Sequence, residues 1–336
     1  VNSGSEAIEG AMKLAKRFSG RSEIIACINS YHGSTHGALS IMGNESYKQA
    51  YRPLLPDIRF MEFGEITEIE KISTKTAAVF IETIQGEAGI KIANKAYWKA
   101  LRAKCTETGT LLVLDEIQCG IGRSGKFSAF EHYDIVPDIL LISKGMGGGL
   151  PIGAFIASTD LMSNLTKNPI LGHINTFGGN ALCVAAANAC LEIIISENLC
   201  SRAKQIENII TTKLKHPLIK EIRIHGALGA IDFYNDTYLF DQNACTSPQT
   251  IYWIGSSIDV EYAQREFWEI LQHILQKKKF ELQPVLSVEK LTTFYAQAII
   301  FGDIKKEPQR TNDIWRVKNL SVHKDIDLFK CGSGYF

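Results

Sequence analysis

The chain lacks a surplus of charge of either sign: Lys plus Arg number 36 and so do Asp plus Glu. A chain without an overall positive field is not built for non-specific nucleic-acid binding, and without an acidic excess it is no acidic tail. The expected partner is therefore a small molecule. No uninterrupted apolar run reaches the ~18 residues of a membrane span. The most apolar long stretch, 181–195, is broken by Asn188 and Glu192 and reads as a buried helix. The eight cysteines, at 27, 105, 119, 183, 190, 200, 245 and 331, form no CxxC pair and none of the spacings of a zinc site or compact disulfide framework. Reduced thiols in a cytoplasmic protein, with no metal, are the expectation. The opening VNSGSEAIEG holds neither the basic region nor the apolar core of a signal peptide and reads as beginning inside a domain.

What is present suffices for a sizeable core: 336 residues, 45% of them apolar. In the first segment Ile8, Ala11, Met12, Ala15 and Phe18 recur at helical spacing, Ser3 and Glu6 match a capping box, and Gly20 stops the helix. Strands follow at 23–28, 77–81, 111–114, 139–142 and 154–157, with a helix over 95–108 closed by Gly109. Strands alternating with helices predict an α/β fold with a mainly parallel sheet buried on both faces. The texture changes between Ile222 and Asp236. Beyond Gly229 only Gly255, Gly302, Gly332 and Gly334 remain, while three of the four tryptophans lie there. Two domains are expected, 1–230 and 231–336.

Functional groups of such sheets collect at the carboxyl ends of the strands. Glu82 follows AAVFI, Asp115 and Glu116 follow LLVL, and Ser143-Lys144 follow ILLI. Any one of these alone is an ordinary strand terminus; their recurrence is the signal. Lys144 precedes a glycine-rich turn, GMGGG, that lets a flat ligand approach the backbone. Partial desolvation there would make its amine nucleophilic toward an aldehyde. Asp115 lies 29 residues upstream (144 − 115), room for one strand-loop-strand unit, so both belong at the same sheet edge. Pyridoxal phosphate needs this pair: a lysine for its aldehyde and a buried carboxylate to keep its pyridine nitrogen protonated. Gly4 and Ser5, opening the first helix, suit the phosphate. Tyr31-His32-Gly33 offers an aromatic face, although a lone Tyr-His is more often packing.

These segments together resemble the class III (ornithine/acetylornithine-type) aminotransferases, pyridoxal phosphate enzymes of fold type I. NSGSEAIEGAMKLAKR resembles the family's phosphate-binding helix start and SYHGSTHGALS its ring-stacking segment. FIETIQGEAGI with LLVLDEIQCGIGRSGKFSAFEHY resembles its central signature, PDILLISKGMGGGLPIGAFIAS its lysine segment, and INTFGGNALCVAAANACLEII the glycine loop and helix that follow. The resemblance covers roughly residues 1–230. It implies that Lys144 carries the cofactor, that Asp115 pairs with the pyridinium nitrogen, and that Gln118 lies beside the ring oxygen. It further implies that Gly4 and Ser5 grip the phosphate, that Tyr31 stacks with His32 beside it, and that Glu87 lies near the substrate. Thr176 would reach the phosphate of a neighbouring subunit, which makes the family's site a homodimeric one. The expected reaction is transamination between a primary amine or amino acid and a 2-oxo acid.

Two departures stand against a full carry-over. Ser34 follows Gly33 where acetylornithine-type members carry a carboxylate-binding Arg. The chain also starts late in the family pattern and leaves it early, which predicts slow turnover by these 336 residues. The tail, through YNDTYLFDQNACTSPQTIYWIG, EFWEILQ and DIDLFKCGSGYF, resembles the acyl-CoA reductases of bioluminescence operons, relatives of aldehyde dehydrogenases. That resemblance implies an acyl thioester on Cys245 and NADPH as reductant. It sets an acyl-CoA reductase component, or a non-catalytic fusion remnant, beside the transaminase as alternatives.

Overall fold

A computed structural model describes residues 1–215, 219–233, 262, 265–270, 304–306 and 317–319. The chain divides into two compact units, Val1–Ile231 and Asp232–Phe336. In the first, the strands are β1 (Glu23–Cys27), β2 (Ile58–Met61), β3 (Thr76–Glu82), β4 (Leu111–Asp115), β5 (Ile139–Ile142), β6 (Ala154–Ala157), β7 (Ile219–His225) and β8 (Leu228–Phe233). The helices are α1 (Gly4–Ser19), α2 (His36–Ser40), α3 (Lys95–Thr108), α4 (Thr159–Met162), α5 (Ala181–Ser196) and α6 (Leu199–Lys213). In the second unit the described elements include an antiparallel pair, β9 (Ile304–Lys306) and β10 (Val317–Asn319).

Six strands form one sheet in the order β2-β1-β3-β4-β5-β6, parallel throughout except for the last pair. Every residue of β3, TAAVFIE, is buried, as expected of a strand covered on both faces. Strand parity sorts the side chains. Ile24, Ala26, Ala78, Phe80 and Val113 pack with Ile8, Ala11 and Ala15 of α1, whereas Ile25, Val79, Ile81, Leu112 and Leu114 pack with Trp98 and Leu101 of α3. Extending that parity by one step puts the strand-end carboxylates Glu82 and Asp115, which are register partners, on the α1 face. The chemistry of the fold is thereby directed to where α1 begins. Phe80 has no exposed surface. Truncation to Ala should cost about 3–5 kcal/mol, read as a fall in the urea midpoint with little change in slope.

The ends of α1 obey local rules with one difference. Ser3 Oγ accepts the Glu6 N–H at 3.2 Å, and Gly20, at φ +67°, closes the helix with its N–H on the Lys16 carbonyl. The Glu6 carboxylate, however, takes the Asn2 N–H at 2.6 Å. α5 corrects a sequence expectation. The 181–195 stretch is helical but not buried: Leu182 is 70% and Ile195 68% exposed, and Ala187 alone is buried. One side of the helix packs, through Ala187, Leu191 and Ile194, on Ile121, Ile142 and Met146, and the rest of its circumference has no described cover. Among the described residues no single helix is long and apolar enough to cross a membrane.

The β7–β8 turn docks on the turn after β4, where Ala227 N–H meets the Arg123 carbonyl at 2.7 Å, and on α6, where Gly226 N–H meets Glu207 at 2.6 Å. His225 packs edge-on against His132, ring centroids 4.7 Å apart. Burial, then the neighbouring His132 and Lys204, pulls the His225 pKa from 6.5 down to about 4. A base whose folded pKa is depressed contributes stability that is whole above 6.5 and lost as pH falls toward 4. A His225→Asn variant should therefore lose less stability than the parent over that acid window, read from urea midpoints across pH.

Candidate active site

The parallel strands deliver their carboxyl ends to one cleft of about 200 Å³. Ser3, Gly4 and Ser5 from the start of α1 line it, with Tyr31, His32 and Gly33 after β1, Glu82, Ile84 and Glu87 after β3, Asp115, Ile117 and Gln118 after β4, and Lys144 after β5. Eight residues singled out from sequence thus share one cleft: Gly4, Ser5, Tyr31, His32, Glu87, Asp115, Gln118 and Lys144.

Asp115 is the buried centre of this arrangement. Its Oδ2 lies 2.7 Å from His32 Nδ1, and its Oδ1 accepts the Ile117 N–H at 3.0 Å. Burial is the largest influence on His32 and opposes its charge. The hydrogen bond and charge of Asp115, with Glu82 beyond, outweigh burial and raise its pKa above the ordinary value. The other ring nitrogen of His32 is buried with no protein partner. A role for His32 as the partner of Asp115 escaped the sequence reading, which grouped it with Tyr31 as a stacking surface. Tyr31 is 38% exposed, while His32 beside it is 2% exposed.

Glu82, one of the polar residues that recur at the strand ends, lines the cleft as well. Its Oε1 accepts the Tyr31 N–H at 2.9 Å and its Oε2 the Gly86 N–H at 3.0 Å. Burial pushes its pKa up to about 7; His32 and the two N–H bonds oppose that rise and Asp115 adds to it. Glu116 is buried too but serves a different end. Its oxygens accept from Thr83 Oγ1 and from the N–H groups of Ala129 and Phe130, all within 2.9 Å, which ties the loop after β4 to the sheet. It is absent from the cleft lining.

The α1 start supplies Gly4 and Ser5, whose N–H groups precede the helical ladder and have no acceptor within it. Gly33, at φ +129°, sits where a Cβ would overlap Ser5 Oγ and so requires glycine, whereas a Cβ at Gly86 would meet the end of the Gln118 side chain. Gln118 Nε2 donates to Glu87 Oε1 at 3.1 Å.

Lys144 departs from expectation in its surroundings. It stands at φ +41°, a conformation costly for a side-chain-bearing residue and typical of functional positions, at the head of a tight turn over Lys144–Gly147. Its side chain is exposed, not partly desolvated as expected from its strand-end position. Thr176 is not brought to this cleft. It lies on an exposed segment whose neighbour Asn175 donates to Glu6 at 3.0 Å. Cys245 lies outside the described residues. Gly120, Gly122 and Gly125 stand at the spacing of a dinucleotide fingerprint, contrary to the expectation that the chain has none. They lie in successive turns and open no helix, so the structural context of that fingerprint is missing.

Residues 1–247 match the family described as aminotransferase class-III. The chain is 40% identical over 253 residues to ornithine aminotransferase 1 of Staphylococcus aureus, covering 71% of this chain and 64% of that one. It is 40% identical over 244 residues to acetylornithine aminotransferase of Clostridium acetobutylicum, covering 69% and 62%. Among solved structures, the ornithine aminotransferase of Toxoplasma gondii superimposes with a TM-score of 0.65 at 32% identity, over 72% of this chain and 61% of that one. The chain thus spans less than two thirds of the length of these relatives. The match runs across Cys245, and the acyl-CoA reductase and NADPH readings of the tail find no support in it. With the parallel sheet, the strand-end lysine and aspartate, and a match over most of its length, the chain belongs to the class-III aminotransferases.

Proposed function

We propose that this chain binds pyridoxal 5′-phosphate on Lys144 and transfers an amino group between a primary amine or amino acid and a 2-oxo acid. The observation that carries the reading is the cleft itself, which gathers Lys144, the buried Asp115–His32 pair, the Tyr31 ring and the free first turn of α1 around one small volume. The residues present fit the cofactor. A buried carboxylate backed by His32 suits a protonated ring nitrogen, and the Gly4 and Ser5 N–H groups at a helix start suit a phosphate. The glycine at 33 leaves the backbone bare against Ser5.

When bound, the cofactor supplies an electron sink for a carbanion. The chain's own residues do the rest. Asp115 holds a proton at the ring nitrogen by charge, and His32 fixes the direction of that carboxylate. Tyr31 would cover one ring face, Gln118 would lie beside the ring oxygen, and Glu87, which accepts from Gln118, would lie near the substrate. Lys144 Nζ, on a turn at the open side, moves a proton from the substrate carbon as general base. Ser34 follows Gly33 on the surface and supplies no guanidinium for a substrate carboxylate.

The same reading pairs the chain with a second copy. Ile170, Ile174, Phe177 and Leu182, which surround Thr176, are each at least 68% exposed, an apolar surface of the kind that marks an association site. Thr176 would then complete the partner's phosphate site, and sedimentation should show a dimer. A cytoplasmic setting agrees with six free cysteines among the described residues.

The test of function is stoichiometric. Protein loaded with pyridoxal phosphate is given a ¹⁵N-labelled amine, ornithine and a simple alkyl amine in parallel. The reading expects the label on the cofactor and its release to an added 2-oxo acid. Loading without any transfer of nitrogen would contradict it.

A further inference from the structure

Tyr31 follows β1 and Gly86 follows β3, so the two walls of the cleft belong to different connections of the sheet. Both are joined to a single side chain. Glu82, at the end of β3 and 5% exposed, accepts the Tyr31 N–H on one oxygen at 2.9 Å and the Gly86 N–H on the other at 3.0 Å. The Gly86 wall is a tight turn: Gly89 N–H returns to the Gly86 carbonyl at 3.0 Å, Gln85 and Lys91 pair across its base, and Glu87 rides on it toward Gln118. The Tyr31 wall presents the aromatic ring. Strand register puts Glu82 beside Asp115, so the clamp sits on the floor of the cleft.

We propose that Glu82 is a positioning residue, a two-oxygen clamp that sets the separation between the Tyr31 wall and the Glu87-bearing turn and so the fit of the cofactor ring between them. This rests on the cofactor reading for what is fitted, but not for the clamp, which is a property of the protein alone. The carboxylate is well chosen for the task. Both of its oxygens accept, so it holds two N–H groups of separate loops at once. Glutamine offers one acceptor and sets its NH₂ against the second N–H. Aspartate, one methylene shorter, keeps both acceptors but draws them back from the two N–H groups.

Glu116 is the built-in comparison, since it is similarly buried, also raised to about 7 by burial, and also hydrogen-bonded to backbone, yet outside the cleft. Glu82→Gln and Glu82→Asp should each raise the dissociation constant for pyridoxal phosphate at least about tenfold, since a hydrogen bond to a charged group is lost. They should also weaken the circular dichroism induced in the bound cofactor, because Tyr31 no longer holds one face. Glu116→Gln should lower the unfolding midpoint and leave both cofactor signals as they are. A folded Glu82→Gln protein with parental affinity and dichroism overturns the proposal. Should the Glu82 variants not fold, amide exchange in the parent chain decides. The clamp requires protection of the Tyr31 and Gly86 amides without cofactor, and exchange at the free-peptide rate overturns it. A parent chain that takes up no pyridoxal phosphate overturns the proposed function instead, while exchange still reads the clamp.

Discussion

Replacing Asp115 by Asn should leave pyridoxal phosphate able to attach but slow the amine half-reaction by about 10²–10⁴, a loss of several kcal/mol of transition-state stabilisation. The amide is nearly isosteric and keeps one acceptor for the Ile117 N–H, so the strand end need not move. What disappears is the charge that keeps a proton on the ring nitrogen. A second signature is independent of activity. His32 titrates above its ordinary value only because the hydrogen bond and charge of Asp115 outweigh burial. With those removed, burial acts against the imidazolium with only Glu82 in opposition, and the His32 pKa should fall in an NMR titration of the variant. An unchanged half-reaction rate would reduce Asp115 to a structural partner of His32.

The second large effect belongs to Lys144. Lys144→Ala should abolish covalent retention of the cofactor through dialysis, and the amine half-reaction should fall by about 10²–10⁴, the usual contribution of a positioned general base. The side chain is exposed, so truncation removes no core packing and the urea midpoint should stay near that of the parent. A small primary amine in the buffer should restore part of the rate by acting as base in the vacated space. Retention of borohydride-fixed cofactor by the Ala variant would move the attachment point to another lysine.

Strong local signals carried much of the fold into the sequence. The end of α3 was legible because Gly109, at φ +64°, closes it; the structure adds the Asn94 cap at its start. β5 and β6 were legible as short apolar runs between turn residues. β2 was not: IRFM is an edge strand of four residues whose alternating exposure leaves little apolar signal. α5 shows the opposite limit, since composition predicted its helix and misjudged its burial, which depends on what packs beside it. In the site, the meeting of Lys144 and Asp115 in one cleft was legible because polar residues recur at the strand ends. Roles set by neighbours were not. The Asp115–His32 bond and the Glu82 clamp join residues 83 and 51 positions apart, and only the sheet register brings them together.

The most direct test of the central claim is the site of cofactor attachment. The chain is loaded with pyridoxal phosphate, reduced with borohydride, digested and read by tandem mass spectrometry. The account predicts the pyridoxyl group on Lys144. Recovery of the label on other lysines, with Lys144 unmodified, would contradict it.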